Sequence, residues 1–184
     1  MLVDLPMVLP PTVAGFALLM AFGRAGLAGG VLQAFGITIP FTTGAVILAQ
    51  VFMAIPFFVG SARAGFASVD ARYLDAAATL RASEPRTFFD VVLPLSARAI
   101  GAGVAMSAAR SLGEFGATIT FAGNLPGTTQ TMPLAVYVAL QSDLDAAIVL
   151  SVLLLAMSFA LLLALRAAPR ALFGSQGDAA RPRG

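Results

Sequence analysis

Between Asp145 and Arg166 the chain runs for 20 residues without a charge, eight of them leucine. As a helix this stretch is about 30 Å long and apolar on every side, which suits a bilayer core and not the surface of a soluble domain. The rest of the composition agrees. Of the 184 residues, 59% are hydrophobic and 11% charged, where ordinary soluble domains carry about 25% charge. There is no Cys, His, Trp or Lys, so all 11 basic residues are Arg. These absences exclude a disulfide framework, thiol or His-based catalysis, a His or Cys metal site and a Walker A loop, whose Lys must reach phosphate. We therefore expect no catalytic residues, no metal and no cofactor held by this chain. The net charge of +2 is not a nucleic-acid footprint, because the arginines are scattered between apolar stretches.

The charges delimit four expected spans. Span A is Leu5–Gly23, 19 uncharged residues with Pro6, Pro10 and Pro11 kinking its start. After Arg24 come 38 more uncharged residues, of which Gly26–Pro40 reads as a loop and Phe41–Ala62 as span B, kinked at Pro56. Span C is expected to run from Ala99 to Ala122 with Arg110 and Glu114 inside it, and span D is Ala146–Leu165. Met1–Pro6 carries Asp4 and no basic residue, unlike a signal peptide. Five arginines (63, 72, 81, 86, 98) lie between spans B and C and four (166, 170, 181, 183) after span D, against Arg24 alone in the A–B loop. By the positive-inside rule the 63–98 loop and the tail are cytoplasmic. The expected organisation is a transmembrane domain over 1–166 and a cytoplasmic, disordered tail over 167–184.

Within the loop, residues 70–80 read as a short helix with Leu74, Ala77, Ala78 and Leu80 on its apolar side. Ser83 is a candidate cap for a second helix with Pro85 in its first turn, Phe88, Phe89 and Val92 as its apolar positions, and Pro94 at its end. Two short helices joined by a tight turn can dock on a partner or lie on the membrane. In span C, Arg110 and Glu114 share one helix face at i and i+4 and can pair. An ionisable pair inside a span either fixes helix packing or lines a translocation path. Thr118, Thr120, Asn124, Thr128, Thr129 and Thr131 follow as hydrogen-bonding groups. Read residue by residue, they are equally packing or loop residues.

Two stretches carry a family resemblance. Asp75-Ala76-Ala77 followed by Val91-Val92-Leu93-Pro94 resembles the "EAA" loop of permease subunits of ABC importers, with the spacing from Asp75 to Pro94 kept. Asp75 stands where the pattern has Glu, and Arg81 where it has Gly. Residues 109–133, with their Arg-Ser-Leu-Gly-Glu-Phe-Gly-Ala core, resemble molybdate importer permeases and, more distantly, sulfate ones, as does Leu5–Gly15. The resemblance covers residues 3–165 and implies an all-α, polytopic, type I importer permease. It implies translocation of molybdate or tungstate across a bacterial inner membrane, with ATP bound and hydrolysed by another chain. The implied partners are a second permease chain forming a homodimer, two ATP-binding cassette subunits and an extracytoplasmic oxyanion-binding protein, in contact with membrane lipid and no nucleic acid. Asp75, Ala76, Ala77, Leu80, Arg81, Leu93 and Pro94 become the candidate coupling residues. Arg110, Glu114, Thr118, Thr120, Asn124 and Thr129 become the candidate substrate pathway. Such permeases have five or six spans against four here, so N-terminal helices are expected to be missing from this chain. The competing readings are a sulfate-type permease and a truncated, non-transporting membrane fragment.

Overall fold

The computed structural model describes residues 2–173, so most of the expected tail lies outside the described residues. After a 3-10 turn at Leu2–Asp4 come α1 (Leu5–Val8), α2 (Pro11–Phe22), α3 (Gly29–Ala34), α4 (Thr43–Ala67) and α5 (Ala71–Thr79). Next are α6 (Glu84–Thr87), a π-helical turn at Phe88–Val92, α7 (Leu93–Leu95), α8 (Ala97–Leu112), α9 (Gly116–Ala122), α10 (Met132–Ser142) and α11 (Leu144–Phe173). No strand occurs among the described residues. The chain is an all-α membrane protein. Among the described residues, two helices are long and apolar enough to cross a bilayer: α4, and α11 over Leu144–Leu165. A third is added if Glu84–Leu95 and Ala97–Leu112, bent by 68° where they meet, form one span.

Span A is realised in pieces. Pro10 and Pro11 lack the amide protons needed to continue α1, so the chain breaks at Leu9–Pro10 and α2 restarts with Pro11 in its first turn. Span B is α4, continuous through Pro56. Span D is the first part of α11. Span C departs from expectation: it is broken at Gly113–Phe115 between α8 and α9. The Ala117 N–H takes a carboxylate oxygen of Glu114 at 2.8 Å, where a continuous helix would give it the Gly113 carbonyl. Glycines at 113 and 116 weaken the helix at the same point.

The described residues group into two units. The first (1–56 and 107–159) has its core where α2, α9 and the first half of α4 meet. Ala14, Leu18, Ala45, Val46, Ala49, Met53, Ala117, Phe121 and Ala122 are buried there. Small residues let the backbones approach closely: a Cβ on Gly15 would fall 2.6 Å from the Ala117 carbonyl oxygen, and one on Gly116 would fall 2.8 Å from Pro11 Cβ. Phe121 is fully buried, its ring centroid 6.4 Å from that of Phe22. The Ser107 hydroxyl donates to the Ala54 carbonyl at 3.1 Å, tying the end of α8 to α4.

In the second unit (57–106, and from 160 on) the later half of α4 packs on the beginning of α8. A Cβ on Gly65 would meet Ala99 Cβ at 2.5 Å, and one on Gly103 would meet Ser61 Cβ at 2.9 Å. The Ser61 hydroxyl donates to the Ala99 carbonyl at 2.8 Å. Phe88, from the π-helical turn, stands edge-on to Phe66 at 5.7 Å between ring centroids.

Candidate functional site

The loop between α4 and α8 forms two helical arms joined by a tight turn. Asp70 is the N-cap of α5: its carboxylate accepts the Arg72 N–H at 2.9 Å and pairs with the Arg72 guanidinium at 2.8 Å. The guanidinium beside it holds the Asp70 carboxyl below the usual carboxylate range, with the Arg72 backbone N–H adding to the effect. Of the expected apolar side, Ala77 is buried, Leu74 is partly exposed and Leu80 is 82% exposed. Asp75 and Ala76 face solvent.

The turn that ends α5 closes with two backbone hydrogen bonds, Arg81 N–H to Ala78 O at 2.9 Å and Ala82 N–H to Ala77 O at 3.1 Å. This pair defines a Schellman ending, whose C′ residue is left-handed. Arg81 occupies that position with φ 54°. An L-residue with a Cβ is disfavoured there by about 1–2 kcal/mol, which is why glycine usually fills it. The glycine requirement implied by the resemblance is therefore a requirement of the backbone, and Arg81 meets it under strain.

The second arm differs from expectation in two respects. Ser83 sits at the N-cap of α6, but its hydroxyl makes no capping hydrogen bond. Pro85 removes one of the two backbone donors such a hydroxyl would accept from. The arm then widens into the π-helical turn before α7. Pro94 lies inside α7, and the bend to α8 falls at Ser96, which is buried with its hydroxyl unpartnered. Between the arms lies a groove of about 440 Å³ lined by Tyr73, Ala76, Ala77, Leu80, Ala82 and Val91, among others. The loop thus brings Ala76, Ala77 and Leu80 to one groove, with Arg81 on the turn beside it, while Leu93 and Pro94 lie on the second arm next to the bend.

The broken span carries the other candidates. Arg110 Nη1 lies 2.7 Å from Glu114 Oε2, close enough to pair but not aligned for a hydrogen bond. The Glu114 side chain is 1% exposed and that of Arg110 26%. Thr118 is fully buried with its hydroxyl unpartnered. The Thr120 hydroxyl donates to the Gly116 carbonyl at 2.8 Å, and its Cβ faces Gly15 across the α2–α9 contact. Thr129, also buried, accepts the Leu125 N–H at 2.9 Å and so shapes the loop between α9 and α10. Asn124 Oδ1 and Thr131 Oγ1 are buried without partners. The expected set thus divides into residues committed to local structure (Glu114 through Oε1, Thr120, Thr129) and residues with unused polar atoms (Thr118, Asn124).

Residue patterning does not anticipate two features. Phe41 has φ 61° and donates its N–H to the Phe121 carbonyl at 3.4 Å, while its ring faces Gly123. This places the start of α4 against the end of α9. A groove of about 550 Å³ also opens along α10 and α11, bordered by Phe115, Tyr137, Leu140, Leu154 and Leu155. Phe115 and Tyr137 meet edge-on there at 5.2 Å.

A broken span with a buried ion pair, preceded by a helix–turn–helix loop with an exposed apolar tip, defines a polytopic membrane protein of the permease class. Residues 1–172 match the family described as binding-protein-dependent transport system inner membrane component, and the chain belongs to that family. It is 49% identical over 153 residues to the molybdenum transport system permease protein ModB of Mycobacterium tuberculosis, covering 83% of this chain and 58% of that one. It is 45% identical over 139 residues to the protein of the same name from Escherichia coli, covering 75% and 61%. It is 41% identical over 164 residues to the probable transport system permease protein NifC of Clostridium pasteurianum, covering 89% and 57%. The chain spans about three fifths of the length of the curated relatives it matches.

Proposed function

We propose that this chain is the membrane-spanning permease subunit of an ABC importer for molybdate in a bacterial inner membrane. The observation that carries the reading is the 49% identity over 153 residues with a molybdenum transport permease. The α5–α7 loop supports it, since its groove and exposed Leu80 suit insertion into a partner surface. In this reading the chain works as a homodimer with two ATP-hydrolysing subunits and an extracytoplasmic oxyanion-binding protein. It catalyses no covalent change and needs no cofactor of its own. Closure of the ATP-hydrolysing subunits pulls on α5, and the motion passes through the bend at Ser96 into α8. That helix carries Arg110 in its last turn, next to the break that holds Glu114.

The cargo is a tetrahedral dianion that must exchange water for hydrogen-bond donors. Thr118 supports a role for α9, because its hydroxyl proton has no other use. Arg110 keeps guanidinium N–H groups beyond the one nearest Glu114. Neutralisation by Glu114 keeps Arg110 from trapping the anion, as a permease must release what it carries. Thr120, Asn124 and Thr129 complete the proposed path as shaping residues.

The test is uptake of labelled molybdate by vesicles holding the permease with its ATP-hydrolysing subunit and binding protein. ATP-dependent uptake, displaced by tungstate and not by sulfate, is expected. Sulfate uptake that molybdate fails to displace would favour the sulfate-type reading. No uptake of either anion by an intact complex would sink both.

A further inference from the structure

The turn after α5 presents two side chains for which the chain itself has no use. Leu80 is 82% exposed. Arg81 beside it is exposed, left-handed at φ 54°, and without a carboxylate partner among the described residues. The neighbouring arginines differ: Arg72 pairs with Asp70 and Arg86 with Asp90. The two hydrogen bonds that close the turn come from backbone atoms alone, so glycine would make both without strain. The turn favours a residue with no side chain, yet carries a long, solvated cation. Nothing described within the chain compensates for that choice.

We infer that Arg81 is a specificity-determining contact, pairing with a carboxylate on the ATP-hydrolysing subunit while Leu80 enters an apolar depression of the same surface. The inference rests on the proposed docking role of the loop and deepens it. A carboxylate is the fitting partner because a guanidinium presents a planar fork of donors that a carboxylate can accept two at a time. The closed turn fixes the direction from which that fork departs. The 440 Å³ groove, with Leu80 on its wall, leaves room for partner side chains next to the pair.

The test uses the complete importer in nanodiscs, with the ATP-hydrolysing subunit titrated onto the permease at several salt concentrations. R81G is expected to weaken association about two- to five-fold and to flatten its salt dependence. It should leave the permease at least as heat-stable as the parent, since the turn relaxes. R81K should restore the salt dependence only in part, because ammonium lacks the fork. An R81G permease that associates as tightly as the parent, with unchanged salt dependence, overturns the inference. L80D separates this outcome from failure of the docking reading: so exposed a position accepts a charge without unfolding, and the variant should not associate at all. If L80D associates normally, the loop is not the docking element and both ideas fall. If L80D fails to associate while R81G is silent, only the ion pair falls.

Discussion

Arg110, in the last turn of α8, and Glu114, inside the break in span C, pair at 2.7 Å, and the second oxygen of the same carboxylate caps α9 through the Ala117 N–H at 2.8 Å. One side chain therefore neutralises a partly buried cation and satisfies an amide that the broken helix leaves open. Removing one member of a buried pair strands the other charge, a loss of about 3–5 kcal/mol. Glu114→Ala should approach that loss. Glu114→Gln strands the same charge but keeps an acceptor for Ala117, so it should cost less than Glu114→Ala by about 0.5–2 kcal/mol, the usual worth of a helix N-cap. Denaturant titration of the purified permease measures both. Equal losses for Ala and Gln would mean that the cap contributes nothing.

The α2–α9 crossing makes a sharper steric prediction. A Cβ on Gly15 falls 2.6 Å from the Ala117 carbonyl oxygen and 2.8 Å from its Cα, both backbone atoms that cannot swing aside. Gly15→Ala should therefore destabilise by about 1–3 kcal/mol through overpacking. Gly60, inside α4, has nothing within 4 Å of the same construction. Gly60→Ala should be neutral or slightly stabilising through helix propensity. The same denaturant titration compares the two, and a Gly15→Ala variant as stable as Gly60→Ala would refute the close crossing.

These contacts also show which parts of the molecule were legible in the sequence. The α5 helix, expected over 70–80 from its periodic pattern, is observed at Ala71–Thr79, because that pattern is a local signal; the capping role of Asp70 was not read. The Arg110–Glu114 pair was readable from its i, i+4 spacing. The break at Gly113–Phe115 was not: Arg110 and Glu114 interrupt the apolar run without saying whether the helix continues, and the break depends on a side-chain oxygen competing with a backbone carbonyl. The roles of Thr120 and Thr129 were equally hidden, since a hydroxyl offered to a path and one spent on its own backbone look alike in sequence. At Arg81 the sequence posed the question of why the pattern it resembles has glycine there. The hydrogen bonds from Arg81 and Ala82 answered it.

The orientation drawn from the arginine distribution can be checked directly, because the chain has no cysteine and any introduced thiol is unique. Ala78, exposed on α5, and Gln130, exposed between α9 and α10, lie on opposite sides of the membrane in that topology. Ala78→Cys should react with a membrane-impermeant maleimide only in inside-out vesicles. Gln130→Cys should react only in right-side-out ones. Labelling of both from the same side would overturn the topology.

The cap of α5 sets a pH dependence. Arg72, first through its side chain and then through its backbone N–H, holds the Asp70 carboxyl below the usual value, so the folded loop prefers the carboxylate. A carboxyl lowered in the folded state contributes stability that is fully present above its unfolded value, about 3.9. That contribution fades as pH falls from about 5 through the folded value. Nothing from this group should change between pH 6 and 8. Amide hydrogen exchange over residues 71–79, read at pH 5, 4 and 3 and corrected for intrinsic rates, should show the helix opening more readily at the acid end. Asp70→Asn keeps an acceptor for the Arg72 N–H but cannot titrate, so its protection should depend less on pH over the same range. Asp70 is the one ionisable side chain that differs between the two proteins, so the difference between the profiles isolates it. Identical profiles for the parent and Asp70→Asn would show that the Arg72 pairing contributes nothing to the stability of α5.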